Sequence, residues 1–219
     1  GIAKSMEYLS NFQIMNRNLN SNNVLLDDKF YPFLTNFYTS PQKFDIKESR
    51  FIAPEVNEGP EGCLPEAGVY SYGMLLYELW TEIPPFSHIK SANLVIEAIK
   101  NGNFPMIPSF LNENWKKLIE KCLCINPISR PNFNEIVSEL ETDKYYTDDM
   151  DRSAIEEYKK IFSKSSVFMP NFSNNEKPKT EHEKDKENPI LIKLKEGASS
   201  GDVASQFILA VAQFEGVFG

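Results

Sequence analysis

The sequence predicts a mainly helical α+β fold with one short β-hairpin. Several segments carry apolar residues at helical spacing, one stretch is typical of two short strands around a turn, and turn-forming residues separate these elements. Of the 219 residues, 41% are hydrophobic and 25% are charged, which is ordinary for a globular protein. The chain can therefore bury a hydrophobic core without disulfides or a structural metal.

The first half of the chain contains two helical segments and the hairpin. Ile2, Met6 and Leu9 form a short amphipathic stripe at the chain start. The stretch between residues 23 and 40 predicts two short strands around an Asp-Asp-Lys turn. Residues 69–80 are apolar on nearly every side, which predicts a helix buried in the middle of the domain.

The second half adds further helices. Three segments have helical apolar spacing: Ser91–Lys100, Trp115–Cys124 and Phe133–Leu140. Ser91 is suited to an N-cap, and Gly102 stands just beyond the end of the same segment. Asn132 and Glu135 resemble a capping box at the start of the third segment.

Composition divides the chain into four regions. Residues 1–142 form the predicted lobe, and residues 143–168 a helical extension with a helix at Ser153–Phe162. Residues 169–189 contain prolines and alternating Glu and Lys with few apolar side chains, so we expect a disordered linker. Apolar residues return over residues 190–219.

Charge and cysteine content exclude several classes of protein. With 31 acidic and 23 basic residues, the formal charge is −8, which disfavours nucleic acid as a partner. Cys63, Cys122 and Cys124 form no C-x-x-C pair, so we expect no metal site and a reducing, cytoplasmic setting. No apolar run is long enough to cross a bilayer, so we expect no membrane span.

Three short segments, taken together, point to a particular chemistry. Residues 16–23, Asn-Arg-Asn-Leu-Asn-Ser-Asn-Asn, have the spacing of the pattern H-R-D-L-x-x-x-N. Asn36-Phe37-Tyr38 stands where D-F-G would follow, with Asn36 located 13 residues after Asn23. Residues 53–55 read Ala-Pro-Glu. Each segment alone is a weak signal, but their order and spacing together are specific.

With these motifs, the chain resembles the C-terminal lobe of a eukaryotic protein kinase over roughly residues 1–142. The stretches at 19–26 and 50–55 are most similar to the tyrosine-kinase-like group of Ser/Thr kinases. The resemblance implies a kinase-like helical lobe that lacks the N-terminal lobe, since no glycine-rich loop and no lysine-bearing strand precede Gly1. We therefore expect the chain to be part of a longer polypeptide.

The resemblance also shows where this sequence departs from the family pattern. Asn18 occupies the position of the catalytic Asp, which accepts the proton of the substrate hydroxyl. Asn36 occupies the position of the Asp that binds Mg²⁺, and Tyr38 that of the following Gly. Gly68 stands where the family has an Asp that hydrogen-bonds the catalytic-loop backbone, and Asn16 replaces the family His.

Among the catalytic and metal-binding positions, the sequence retains Asn23 unchanged, and Arg17 keeps the family Arg. Because an amide cannot replace either anionic oxygen, we expect that this chain is inactive and binds no cofactor. ATP and Mg²⁺ would be cofactors if an intact parent protein were active.

The resemblance implies structural roles for other residues. Glu55, next to Pro54, and Arg130 match a buried family ion pair that ties the activation segment to the last helices. Arg17 matches an Arg that binds a phosphate on the activation segment. It could equally bond only to backbone carbonyls. Three residues are candidate phosphate acceptors: Thr39, Ser40 and Ser49.

The C-terminal residues resemble part of a second module. Gly201-Asp202 before a small-residue helix and Gly216 after it are similar to the first helix of a Sel-type, tetratricopeptide-like repeat. A single repeat cannot bury its own apolar face, so further repeats are expected downstream, where the chain stops. The alternative is a lone amphipathic helix.

Three functional hypotheses remain open from the sequence. The first is a pseudokinase fragment that binds proteins as a signalling or scaffold module. The second is part of an active Ser/Thr protein kinase that tolerates Asn18 and Asn36 when joined to its N-terminal lobe. The third is a repeat-containing adaptor with a vestigial kinase lobe. Each implies protein partners, through the lobe or through the repeats.

Overall fold

A computed structural model describes residues 1–11, 16, 19–28, 30–35, 46–58, 64–146 and 150–165, with backbone alone at 57–58 and 161–165. The chain divides into two units, residues 1–148 and 149–219. The second unit is described only through its first residues. The predicted linker and repeat-like helix lie outside the described residues.

The predicted fold class is confirmed for the lobe, which is mostly helical with a small two-stranded sheet. The helices are α1 (Ile2–Asn11), α2 (Ile46–Ser49), α3 (Pro65–Thr81), α4 (Ala92–Lys100), α5 (Glu113–Cys122), α6 (Phe133–Leu140) and α7 (Arg152–Ser165). The strands are β1 (Val24–Leu26) and β2 (Pro32–Leu34). No solenoid repeat is seen in the part of the chain that the structure describes.

Helix α3 lies at the centre of the lobe, as its all-round apolar sequence predicts. Ten consecutive residues of α3, 68–77, are buried. Pro65 occupies the first turn, where its missing N–H costs no helical hydrogen bond. The helix ends at Thr81, and the next residue, Glu82, has a left-handed backbone (φ 56°) and donates its N–H to the carbonyl of Glu78. The helix is therefore longer at its N-terminus than the apolar run suggests.

The remaining predicted helices are also present. The capping box at α6 is complete: the Asn132 side chain accepts from the Glu135 N–H (3.0 Å), and the Glu135 carboxylate accepts from the Asn132 N–H (2.8 Å). Helix α5 ends at Cys122, two residues before the predicted end, so Cys124 lies in the following loop. Helix α7 covers the predicted segment and continues to Ser165.

The hairpin pairs β1 and β2 antiparallel, with Val24 opposite Leu34 and Leu26 opposite Pro32. The Asp27 carboxylate accepts from the Tyr31 N–H (2.8 Å) and closes the turn. Phe30 has φ 61° and is 78% exposed. This left-handed position favours Gly or Asn in hairpin turns of this kind, so Phe30 is a strained choice.

The core forms where α3 meets its neighbours. Helix α3 packs against α5, while α1 packs against α6 and β2. A Cβ placed on Gly73 of α3 would be 2.7 Å from the Cβ of Cys122, so only glycine allows α3 and α5 to approach this closely. Because Cys122 is fully buried in this contact, burial raises the pKa of its thiol to about 12.

The end of the lobe is held by an aromatic cluster. Trp115 of α5 contacts both Trp80 (ring centroids 5.2 Å apart) and Tyr145 (4.9 Å). The Tyr145 hydroxyl donates to the Glu139 carboxylate at 2.7 Å. The turn Asp143–Tyr145 therefore packs on α5 and α6, although it follows the sequence boundary at residue 142. None of the helices in the described ranges could span a membrane.

Candidate functional site

The candidate site lies where Asn23 bonds the hairpin at Thr35 and where the Asn16 carbonyl oxygen lies beside Gly68 of α3. We refer to residues 16–23 as the catalytic-loop segment. Within it, Asn16 and residues 19–23 are described. Three predicted site residues, Arg17, Asn18 and Asn36, lie outside the described residues, as do Thr39 and Ser40.

Asn23, the retained loop residue, ends a 3₁₀ turn formed by Ser21–Asn23 and is buried. Its N–H donates to the Asn20 carbonyl (3.0 Å), and the Asn20 side chain accepts from the Asn22 N–H at the same distance. The Asn23 carbonyl accepts from the Thr35 N–H at 2.9 Å. The hairpin thus ties Asn23 to the residue that directly precedes Asn36 in the sequence.

The N-terminus of α3 contacts the start of the catalytic-loop segment at Gly68. A Cβ on Gly68 would lie 3.7 Å from the carbonyl oxygen of Asn16 and 3.0 Å from Cε of Met6. At position 68, where the kinase resemblance implies a carboxylate, the nearest groups are therefore the methyl group of Met6 and the carbonyl oxygen of Asn16. Asn16 itself is buried.

Glu55 and Arg130 form the ion pair that the kinase resemblance implies. Arg130 Nη1 donates to Glu55 Oε1 at 2.6 Å, and Nη2 donates to Oε2 at 2.9 Å. The Arg130 side chain is fully buried and that of Glu55 is 12% exposed. Such a bidentate pair fixes both orientation and position, because two parallel hydrogen bonds align the planar groups. Pro54, beside Glu55, begins the 3₁₀ turn that carries this carboxylate.

Arg130 also uses its other donors. Nη1 donates to the Glu66 carbonyl in α3 (2.9 Å), Nε to the Cys124 carbonyl (2.7 Å) and Nη2 more weakly to Ile125 (3.4 Å). The guanidinium lies 5.0 Å from the centre of the Tyr70 ring. A single side chain therefore joins the Pro54–Glu58 turn, α3 and the loop after α5.

Tyr70 and Met6 are site residues that sequence reasoning missed. Tyr70 is buried under the Arg130 guanidinium, and burial raises the pKa of its phenol well above the ordinary range, so the hydroxyl stays neutral. Its position in the apolar run of α3 predicted burial but not this partner. Met6 was predicted only as part of an apolar stripe.

Ser49, one of the three candidate phosphate acceptors, lies at the end of α2. Its side chain is completely buried, and its hydroxyl donates to the Ile46 carbonyl at 3.1 Å within α2. A phosphate on Ser49 would therefore require α2 to rearrange.

The described part of the catalytic-loop segment contains three buried amides, Asn16, Asn20 and Asn23, and each of them already interacts with other groups of the chain. Within the described ranges, no group of three or more His, Cys, Asp or Glu side chains is placed to hold a metal ion. Asn23 is the one described member of the predicted catalytic and metal-binding set, and its amide is a neutral donor and acceptor.

The amino-acid sequence matches known protein kinases. Residues 1–140 match the family model described as protein tyrosine and serine/threonine kinase. The chain is 32% identical over 148 residues to the serine/threonine/tyrosine-protein kinase HT1 of Arabidopsis thaliana, which covers 64% of the chain and 37% of that kinase.

Two relatives from Dictyostelium discoideum give similar figures. The dual specificity protein kinase pyk3 is 32% identical over 149 residues, covering 65% of this chain and 11% of pyk3. The dual specificity protein kinase shkC is 33% identical over 143 residues, covering 60% of this chain and 28% of shkC. The chain thus spans well under half the length of each of these relatives. Because the family model matches more than half of its residues, the chain belongs to the protein tyrosine and serine/threonine kinase family.

Proposed function

We propose that the chain is the helical lobe of a pseudokinase, related to the tyrosine-kinase-like group, that binds other proteins as a signalling scaffold and does not transfer phosphate. The observation that carries this proposal is the pair of amides, Asn18 and Asn36, at both positions where the family has catalytic carboxylates. The proposal goes beyond family membership, because membership alone does not determine whether the protein transfers phosphate.

The loss of two negative charges matters because phosphoryl transfer depends on electrostatics. Mg²⁺ between the ATP phosphates requires anionic oxygen, and the substrate hydroxyl requires a proton acceptor. Asparagine has nearly the shape of aspartate but supplies neither. The loss of one such group commonly costs on the order of 10²–10⁴ in rate, and here two are replaced.

The structural residues of the family are retained, which supports a folded binding role. Glu55 and Arg130 still form a buried bidentate pair, and α3 is still buried through its centre. A lobe that had lost all constraint would accumulate substitutions at these buried positions as readily as at the catalytic ones. A protein-binding module needs the folded lobe and does not need the catalytic carboxylates, which matches this combination.

Two alternative functions, an active kinase and a repeat-containing adaptor, belong to other classes of protein. An active parent kinase could compensate for the amides through its N-terminal lobe, which would contribute a glycine-rich loop and a lysine. A Sel-type repeat array beyond residue 219 would instead make the lobe a minor part of an adaptor, because repeat arrays present long concave binding surfaces. The Gly-Asp pair at residues 201–202 is the sequence feature that favours this second alternative.

The first test is the thermal unfolding of the chain with ATP and Mg²⁺. A ligand at 100 times its dissociation constant would contribute about 2.7 kcal/mol and raise the melting temperature by several degrees. We expect no rise with millimolar Mg²⁺-ATP. The matched control is the double variant Asn18→Asp, Asn36→Asp, which restores both charges in nearly the same shape.

Phosphate transfer by the full-length parent protein is the decisive measurement, because it includes any N-terminal lobe. We expect no incorporation of labelled phosphate above that of a heat-treated sample. Transfer that is lost in Asn18→Ala or Asn36→Ala variants of the parent would overturn the proposal and favour the active kinase.

A further inference from the structure

The end of the Met6 side chain fills the space beside Gly68. Around the point where a Gly68 Cβ would lie, Met6 Cε is 3.0 Å away, the Asn16 carbonyl oxygen 3.7 Å and Phe133 Cε2 3.7 Å. Met6 and Phe133 are each 3% exposed, and Asn16 is 6% exposed. The space at position 68 is therefore enclosed by α1, α6 and the catalytic-loop segment.

We propose that Met6 is a positioning residue for the catalytic-loop segment, and that it holds the backbone at Asn16 by packing in the space that a side chain at position 68 would otherwise use. The family resemblance implies that a carboxylate on α3 holds the catalytic-loop backbone. In this chain, a side chain of α1 takes that role. The inference goes beyond the proposed function, since it holds whether or not the parent protein transfers phosphate.

The chemistry of methionine suits this role. Its unbranched thioether chain fills irregular gaps in a core and adapts to its neighbours. Close-packed interiors transmit the position of one group to the next, so we expect the Met6 methyl group, which borders the same space at position 68 as the Asn16 carbonyl oxygen, to limit movement of the Asn16 backbone. Glycine at 68 is what leaves room for it.

The arrangement makes a large residue at position 68 incompatible with Met6. Met6 Cε is the far end of a flexible side chain, so it can yield the few tenths of an ångström that a single methyl group needs. Gly68→Ala should therefore be tolerated. A carboxylate needs more volume and would face the Asn16 carbonyl oxygen, which is also an acceptor. Gly68→Asp should fit only when Met6 is shortened.

The first test is a double-mutant cycle on the 219-residue chain, with melting temperature as the readout. We expect Gly68→Asp to lower it by about 5 °C or more, and the combination with Met6→Ala to lose at least about 2 °C less than the sum of the single changes. Gly68→Asn has the same shape without charge and should show the same coupling to Met6. Additive effects in both cycles would overturn the proposal.

The second test separates positioning from general stability, and it does not require the Gly68→Asp variant to fold. Amide hydrogen exchange at Asn16 and Leu19 is compared in Met6→Ala and in Leu9→Ala, a truncation on the same helix at a residue that is also 3% exposed. After correction for global stability, we expect about tenfold faster exchange in Met6→Ala alone, with recovery in Met6→Leu. Equal acceleration in both truncations would show that Met6 has only a general packing role. Neither measurement involves nucleotide, so failure here leaves the proposed loss of catalysis to its own test.

Discussion

Arg130 shows how one buried side chain can organise a lobe. Its guanidinium bonds the Glu55 carboxylate twice and three backbone carbonyls, with the Tyr70 ring against it. A buried charge is tolerated only when its partners replace water, and all five N–H donors of Arg130 have a partner here. The pair therefore holds three segments in place. This role does not depend on how much the ion pair itself contributes to the free energy of folding.

Removal of Glu55 should be costly because it leaves this charge without its counterion. We expect Glu55→Ala to reduce the free energy of unfolding by about 3–5 kcal/mol, measured by urea denaturation. Asn18→Ala should cost much less. Lys117→Ala is the control for an ion pair with Glu113, whose side chains are 60% and 64% exposed, and should cost under about 1 kcal/mol. Equal midpoints for Glu55→Ala and Asn18→Ala would contradict the structural role of the pair.

Gly73 allows α3 and α5 to pack closely against each other. A methyl group there would meet the Cβ of Cys122 at 2.7 Å and two Leu123 carbons at 3.0 and 3.2 Å. The Cβ of Cys122 is fixed to the backbone and cannot rotate away. The helices would have to separate, which would loosen the packing of α3 against α5.

Gly73→Ala should therefore destabilise the protein although alanine is the better helix former. Overpacking costs about 1–3 kcal/mol, which we expect to exceed the gain of about 1 kcal/mol in helix propensity. Gly68→Ala is the matched control in the same helix, since the nearest atom there is the mobile end of Met6. Urea midpoints measure both variants, and a more stable Gly73→Ala protein would refute the close approach of α3 and α5.

At the scale of the whole lobe, Glu139 connects α6 to its surroundings. Its carboxylate accepts from Tyr145 (2.7 Å) and Lys144 (3.0 Å) and lies 3.5 Å from the Lys121 ammonium of α5. Burial by itself raises the pKa of Glu139, but the two hydrogen bonds and the lysine charges outweigh it, and the pKa lies below the ordinary value of 4.5.

Because folding lowers the pKa of Glu139, its ionised carboxylate stabilises the folded protein above the ordinary pKa. This stability is lost as the pH falls and the carboxylate is protonated. We expect the melting temperature to drop more steeply between about pH 5 and pH 3 in the natural protein than in Glu139→Gln. Glu141→Gln, an exposed glutamate nearby, is the control and should leave the slope unchanged. Parallel pH profiles for all three proteins would show that Glu139 does not link these elements.

Much of the fold was accessible from local sequence patterns. The stripe of α1, the all-round apolar run of α3, the capping box at Asn132 and the Asp-containing hairpin turn each depend on residues close together in the chain. The prediction that Asn18 and Asn36 stand at carboxylate positions also rests on the sequence alone. Helix ends were less accurate, because apolar spacing marks the buried face of a helix and not its first and last residues: α3 begins at Pro65 and α5 ends at Cys122.

The sequence by itself predicted most of the helices and both strands, the kinase family and the two asparagines at carboxylate positions, since these depend on short spacings. The tertiary structure decided which distant groups share a space: Met6 beside Gly68, Cys122 beside Gly73, and Tyr70 under Arg130. It also placed Ser49 in the interior, where the sequence suggested an acceptor. Such contacts join residues far apart in the chain, and close packing, rather than local preference, selects them.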